Sequence, residues 1–169
     1  MAEGLETRFQ ALYPDILRLA RARLSREQSP ISTVTLAHEL YLNLREGQNL
    51  KFASAAQFMA YASRAMRSLL VDMARERLAQ KRSADLIPLT VGAAVPDFAG
   101  TPEQLIALDD ALARLGAAEP RLMQVAELRV VMGMQIDEIA KALGVSEPTV
   151  KRDWQRARAF LHEALGVAP

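Results

Sequence analysis

IDEIAKALGVSEPTVKRDWQRAR, Ile136 to Arg158, is the stretch whose reading decides the fold. Ile136, Ile139, Ala140 and Leu143 recur at helical spacing and give a short helix one apolar face. Gly144 follows, where a helix end calls for a left-handed residue, and glycine takes that backbone at little cost. Ser146 is placed to cap a second helix, and Thr149, Val150, Lys151 and Arg152 fill its first turns. Two helices about a glycine turn, the second rich in basic and hydroxyl side chains, describe a helix-turn-helix. Such a unit reads duplex DNA by laying its second helix in the major groove. An ordinary helical hairpin with a solvated basic face is the alternative. It would leave the agreement of spacing, glycine, cap and charge to coincidence.

The rest of the chain supports a helical reading. Of 169 residues, 50% are hydrophobic but only 5% aromatic, with few β-branched runs, which leans towards an all-α protein. There is no cysteine, so a disulfide framework, a thiolate metal site and a thiol nucleophile are excluded, and only His38 and His162 could supply imidazole. The first residues carry early acids and lack a long apolar core, so no signal peptide is read there, and no apolar run reaches the roughly 18 residues of a membrane span. A soluble, cytoplasmic protein is expected. The net charge of +1 conceals segregation. Residues 1–82 hold 13 basic and 8 acidic side chains, residues 83–120 hold 1 and 6, and residues 121–169 hold 7 and 6. Segregation of this kind points to polyanion binding at one or both ends, and the acidic middle is expected to lie over a basic surface when DNA is absent.

In chain order, Leu5 to Leu24 reads as a helix with Phe9, Leu12, Ile16, Leu19 and Ala20 as its stripe, kinked or split at Pro14. Ser25 to Pro30 is a loop. A second helix starts between Ser32 and Thr35 and runs through Leu44, with Leu36, Leu40 and Leu44 facing one way and several hydroxyls at its start. Gly47 to Ala53 reads as a loop. Ser54 to Arg82 reads as a long helix with Phe58, Ala62, Ala65, Met66, Leu69, Leu70 and Met73 as its apolar stripe. Arg64, Arg67, Arg75, Arg77, Lys81 and Arg82 occupy the remaining face, with Tyr61 interleaved. An aromatic among arginines suits single-stranded nucleic acid, since bases stack and guanidinium groups hold phosphates. A solvated arginine face with Tyr61 in the core fits equally well. Ser83 to Thr101 has two prolines, two glycines and no helical period, as a linker does, but enough apolar side chains to pack on a neighbouring domain. Thr101-Pro102-Glu103 then opens a helix, followed by one at Arg121 to Val131 and by the helix-turn-helix. The expected organisation is two helical domains, 1–82 and 102–169, joined by a linker at 83–101.

With this order in place, the sequence resembles bacterial RNA polymerase sigma factors of the extracytoplasmic-function (ECF) type over nearly its whole length. LRVVMGMQIDEIAKALGVSEPTVKRDWQRARAFL is similar to the family's region 4, QFMAYASRAMRSLLVDMARERLAQKR to the region 2 helix that opens and holds the promoter −10 element, and LAHELYLNL to the preceding clamp-docking helix. The resemblance implies core RNA polymerase (the clamp of its β′ subunit and its β flap) and promoter DNA as partners, with no cofactor and no metal. It places Ser146, Thr149, Lys151, Arg152, Gln155 and Arg156 at the −35 element. Tyr61, Arg64, Arg67, Ser68 and Asp72 fall at the −10 element, Tyr61 standing where many relatives have tryptophan. Thr35, His38, Glu39 and Tyr41 fall on the polymerase.

One departure bears on regulation. Relatives usually carry an acidic D-x-E-D-L cluster at the start of the clamp-docking helix, and here those positions are Ser32, Thr33, Val34, Thr35 and Leu36. The hydroxyls either cap the helix or accept phosphate. A phosphate would return about −1.5 to −2 charges to a helix N-terminus, where anions are favoured. This resembles a subgroup switched on by a serine/threonine kinase. Thr33 and Thr35 are the first candidates, with Ser32 beside them.

An enzymatic reading finds little to stand on. Asp109 with Asp110 and Asp137 with Glu138 are neighbours that point to different helix faces, and His38-Glu39 lacks the second histidine of an HExxH site, since Leu42 stands there. A stand-alone regulator that binds duplex DNA as a dimer explains the helix-turn-helix but not the arginine-rich helix before it.

Overall fold

A computed structural model describes residues 3–23, 33–46, 51–80 and 102–166. The described residues form seven helices: α1 (Leu5–Arg23), α2 (Thr33–Arg45), α3 (Ala55–Gln80), α4 (Pro102–Ala118), α5 (Pro120–Val130), α6 (Ile136–Leu143) and α7 (Glu147–Leu165). The fold class is all-α, as expected from composition. Among the described residues the exception is a two-residue antiparallel ladder between β1 (Glu3–Gly4) and β2 (Lys51–Phe52), with Glu3 opposite Phe52 and Gly4 opposite Lys51. β2 falls in the stretch expected to be a loop. Phe52 explains the difference: it is buried and meets the ring of Phe58 edge-on, with centroids 5.2 Å apart, so the strand is held by its side chain as well as by the ladder.

α1 continues through the exposed Pro14 as one element rather than two. Phe9 is its buried anchor, with its ring centroid 4.9 Å from that of Tyr41 on α2. The side chains of Ile16, Arg18, Leu19 and Ala20, and the loop 25–30, lie outside the described residues. On α2 the expected face is buried at Ala37, Leu40 and Leu44, while Leu36 lies outside the described side chains. Ser54 starts α3: its Oγ accepts a hydrogen bond from the Gln57 N–H at 3.1 Å, and the Gln57 side-chain oxygen accepts one from the Ala53 N–H at 2.6 Å. This reciprocal satisfaction of first-turn donors is the logic of a capping box.

α3 is the element on which both halves of the chain meet. One side packs on α2 and β2, and the other on α4, α5 and α6. Phe58, Ala62, Ala65, Met66 and Leu70 are buried as expected, and they belong to a single cluster of buried side chains that continues through Leu105, Leu112, Leu128 and Leu161. The linker residues 83–101, with Lys81 and Arg82 before them, lie outside the described residues. Arg77, expected on the solvated face, is instead 7% exposed. Burial lowers its pKa from the ordinary arginine value, and its Nη1 has no hydrogen-bond partner among the described residues.

The junction between α3 and the second half is polar at its centre. Glu127 on α5 is 2% exposed. Its Oε2 accepts a hydrogen bond from the Ser63 hydroxyl at 3.1 Å, and its Oε1 lies 3.1 Å from Nη1 of Arg67, an ion contact without hydrogen-bond alignment. Arg67 turns its Nε to Asp109 of α4, also at 3.1 Å. Burial pushes the Glu127 carboxyl above its ordinary value. Arg67, the Ser63 hydrogen bond and Arg64 act against that shift, while Asp109 adds to it.

A carboxyl raised in the folded state favours folding in its protonated form. That contribution is present below the ordinary carboxylate range and is lost as pH rises through the raised value. Relative to Glu127→Gln, which does not titrate, the wild-type chain is therefore expected to lose unfolding free energy as pH climbs from about 4.5 upward. The slope should be at most about 1.4 kcal/mol per pH unit. Urea unfolding of both proteins across this range measures it, and a difference that stays flat or rises contradicts the burial argument.

Candidate nucleic-acid interface

The second half builds its reading helix from local rules. Gln135 precedes α6, and its backbone N–H donates to the Glu138 side chain at 2.7 Å, satisfying a donor that the helix cannot. Ile139, Ala140 and Ala142 are buried, with Ile136 and Leu143 half-buried beside them. Gly144 ends α6 at φ +66° and ψ +33°. A Cβ on Gly144 would meet nothing within 4 Å, so the need for glycine is one of backbone conformation and not of space. Ser146 caps α7 as expected: its Oγ accepts from the Thr149 N–H at 3.3 Å and lies 2.9 Å from the Thr149 hydroxyl.

α7 is held by two ion pairs that the sequence did not announce. Asp153, in the middle of the basic run, is 3% exposed and receives Nε and Nη2 of Arg121 on its Oδ2 at 2.7 and 2.6 Å. Arg156 reaches Glu119 at 2.6 Å, so this candidate for DNA contact is half-engaged in joining α7 to the start of α5. Arg129 clamps the α5–α6 turn by donating to the Met134 carbonyl at 2.8 Å and to the Gln135 side chain at 3.1 Å, and burial lowers its pKa. Lys151, Arg152 and Gln155 are exposed on α7, as is the partly engaged Arg156, with Ser146 exposed and Thr149 half-buried at the helix start.

α3 presents a second surface. Arg64, Ser68, Asp72 and Arg75 are exposed and, spaced by four, four and three residues, form one stripe along it. Asp72 and Arg75 are 3.8 Å apart within that stripe. Tyr61 stands at its end, half-buried, its ring centroid 5.8 Å from that of Phe52. Arg67 sits beside the stripe and turns towards α4 and α5. Of the residues expected on the polymerase, His38 and Glu39 are exposed on α2. Tyr41 is half-buried against Phe9, with the Arg45 guanidinium 5.8 Å above its ring, and the Thr35 side chain lies outside the described residues. Leu42, one turn after His38 and off the face of Leu36, Leu40 and Leu44, is 39% exposed.

Taken together, the geometry is that of an all-helical DNA-binding protein with a capped helix-turn-helix at its end. The family model for ECF sigma factors matches residues 2–167, and the chain belongs to this family. It is thus a sigma factor that binds core RNA polymerase and promoter DNA in transcription initiation. No curated protein and no solved structure matches it. Among the described residues no helix is long and apolar enough to cross a membrane.

Gly144→Ala is expected to cost about 1–2 kcal/mol, the penalty of a side chain in the left-handed region, and Gly144→Asn less. Thermal unfolding compares the three proteins. Equal midpoints would show that the turn relaxes out of this conformation.

Proposed function

We propose that the protein grips a promoter at two places, with Lys151, Arg152 and Gln155 of α7 at the −35 element and the α3 stripe of Arg64, Ser68 and Asp72 at the −10 element. The observation that carries this reading is the outward set on α7. Its neighbour Asp153 is buried in an ion pair with Arg121, which helps fix the helix, and Arg156, half-engaged by Glu119 at the surface, stands beside those three side chains. Ser146 and Thr149 stand at the helix start, where backbone N–H groups suit a phosphate. The outward face of α2, with His38, Glu39 and the exposed Leu42, docks on the β′ clamp, and the helix-turn-helix half engages the β flap. The domains are 1–82 and 102–169, the place of action is the cytoplasm, and the chain acts as a specificity subunit rather than an enzyme.

The start of α2 supplies the regulatory part of this reading. α2 begins at Thr33 and has no acid in its first turn. Phosphorylation of Thr33 or Thr35 by a serine/threonine kinase, with Ser32 (outside the described residues) as a third site, places an anion at the positive end of the helix dipole and strengthens docking on a basic clamp.

Run-off transcription with purified core enzyme and promoter binding at several salt concentrations test the account. Lys151→Ala and Arg152→Ala should each weaken promoter binding and make its salt dependence shallower by about one unit. Thr33→Asp or Thr35→Asp should raise affinity for core polymerase. If neither does, the switch is absent. A dimer that binds a palindromic duplex tightly without polymerase would overturn the two-surface reading.

A further inference from the structure

Asp153 is an acid in the middle of a basic reading helix. It follows Arg152 directly, it is buried, and Nε and Nη2 of Arg121 on α5 meet its Oδ2 at 2.7 and 2.6 Å. A carboxylate on a helix that must approach phosphates opposes that approach, and taking it out of water offsets much of what its ion pair contributes. Neither cost serves affinity for DNA. We propose that Asp153 is a positioning residue for sequence readout: pinned by Arg121, it holds α7 at one roll about its own axis, so that Arg152 and Gln155 meet base edges in one register, and it raises discrimination between sequences rather than affinity for DNA as such. The proposal rests on the assignment of α7 to the −35 element.

The geometry of α7 shows what the pair adds to apolar packing. The buried residues of the helix include Val150, Ala157 and Leu161, and Asp153 shares their side, three residues after Val150 and four before Ala157. Apolar contacts are non-directional and absorb a small turn of the helix. A hydrogen-bonded ion pair weakens steeply once donor and acceptor move out of line. Side-chain ends lie about 6 Å from a helix axis, so a roll of about 10° displaces them by about 1 Å. Arg and Gln read bases through two-point contacts, guanidinium to guanine and amide to adenine, which tolerate such a shift poorly. Phosphate contacts are driven by charge and carry no sequence information, so they survive it. Arg156 with Glu119 adds a second hold, but both side chains are about half exposed, where an ion pair is worth less.

The probe is a pool of random-sequence duplexes, bound by the full chain assembled with core RNA polymerase. Sequencing the bound fraction identifies the duplex that the wild-type protein selects, and the ratio of its affinity to that of the unselected pool measures discrimination. Asp153→Asn and Arg121→Met should each lower this ratio on the order of tenfold, the worth of about one misread base pair. The double variant Arg121→Met/Asp153→Asn separates positioning from folding. It leaves no buried charge unpaired, so it folds. It also removes one charge of each sign, so attraction to the phosphates of the pool is nearly unchanged. Its ratio should stay about tenfold low, with the loss confined to the selected duplex. A double variant that discriminates as the wild type does, or one that loses affinity for pool and selected duplex alike, overturns the proposal. Arg152→Ala and Gln155→Ala, run in parallel, should each change the selected sequence. If neither does, the assignment of α7 to the −35 element fails and takes the positioning role with it. If both do and the double variant still discriminates, the positioning role alone falls.

Discussion

A buried carboxylate with two partners on a neighbouring helix is the constraint around which the chain is arranged. Glu127 leaves water on α5 and finds the Ser63 hydroxyl and the Arg67 guanidinium on α3. An unpaired buried carboxylate would be far more costly than either contact is favourable, so α5 can sit where it does only if α3 presents those two side chains in register. α3 thereby becomes common to both halves, with α2 on one side and α4, α5 and α6 on the other. The apolar cluster supplies most of the stabilisation through area removed from water, but it is tolerant of small shifts. The polar cluster is not, and it selects one placement of α5 among many that would bury similar area.

The same division of labour recurs at α7. Val150, Ala157 and Leu161 bury its apolar face, while Asp153 with Arg121 and Arg156 with Glu119 fix its rotation. Rotation matters for a reading helix, because it decides which side chains point at base edges. Internal ion pairs therefore serve the site by occupying some of its charges, so that Lys151, Arg152 and Gln155 are left facing outward.

Much of this was legible in the sequence wherever the governing physics is local. The glycine turn at Gly144, the Ser146 cap, the helical stripe of α3 and the Pro102 start of α4 all follow from backbone geometry over a few residues, and each appears where the pattern put it. The ECF resemblance, carried by the same motifs, agrees with the family match. What the pattern missed depends on partners far along the chain. Glu127 and Asp153 look like solvated surface acids until Arg67 and Arg121 are brought beside them. Arg77 looks like part of a solvated basic face and is buried. Phe52 sits in what reads as a loop and is drawn into the core by Phe58 and Tyr61. Segregated charge hinted that the acidic middle would cover a basic surface, and the Asp109–Arg67 pair is one contact of that kind. Periodicity could not have named it.

The central claim is that Glu127 and Arg67 are energetically coupled and not merely adjacent. A double-mutant cycle with Arg67→Met, Glu127→Gln and the pair, read by urea unfolding of the full chain, measures that coupling directly. The account predicts an interaction free energy of about 1–3 kcal/mol, the double variant being more stable than the two single effects sum to. Effects that add to within about 0.5 kcal/mol would contradict it and reduce the cluster to a bystander of apolar packing.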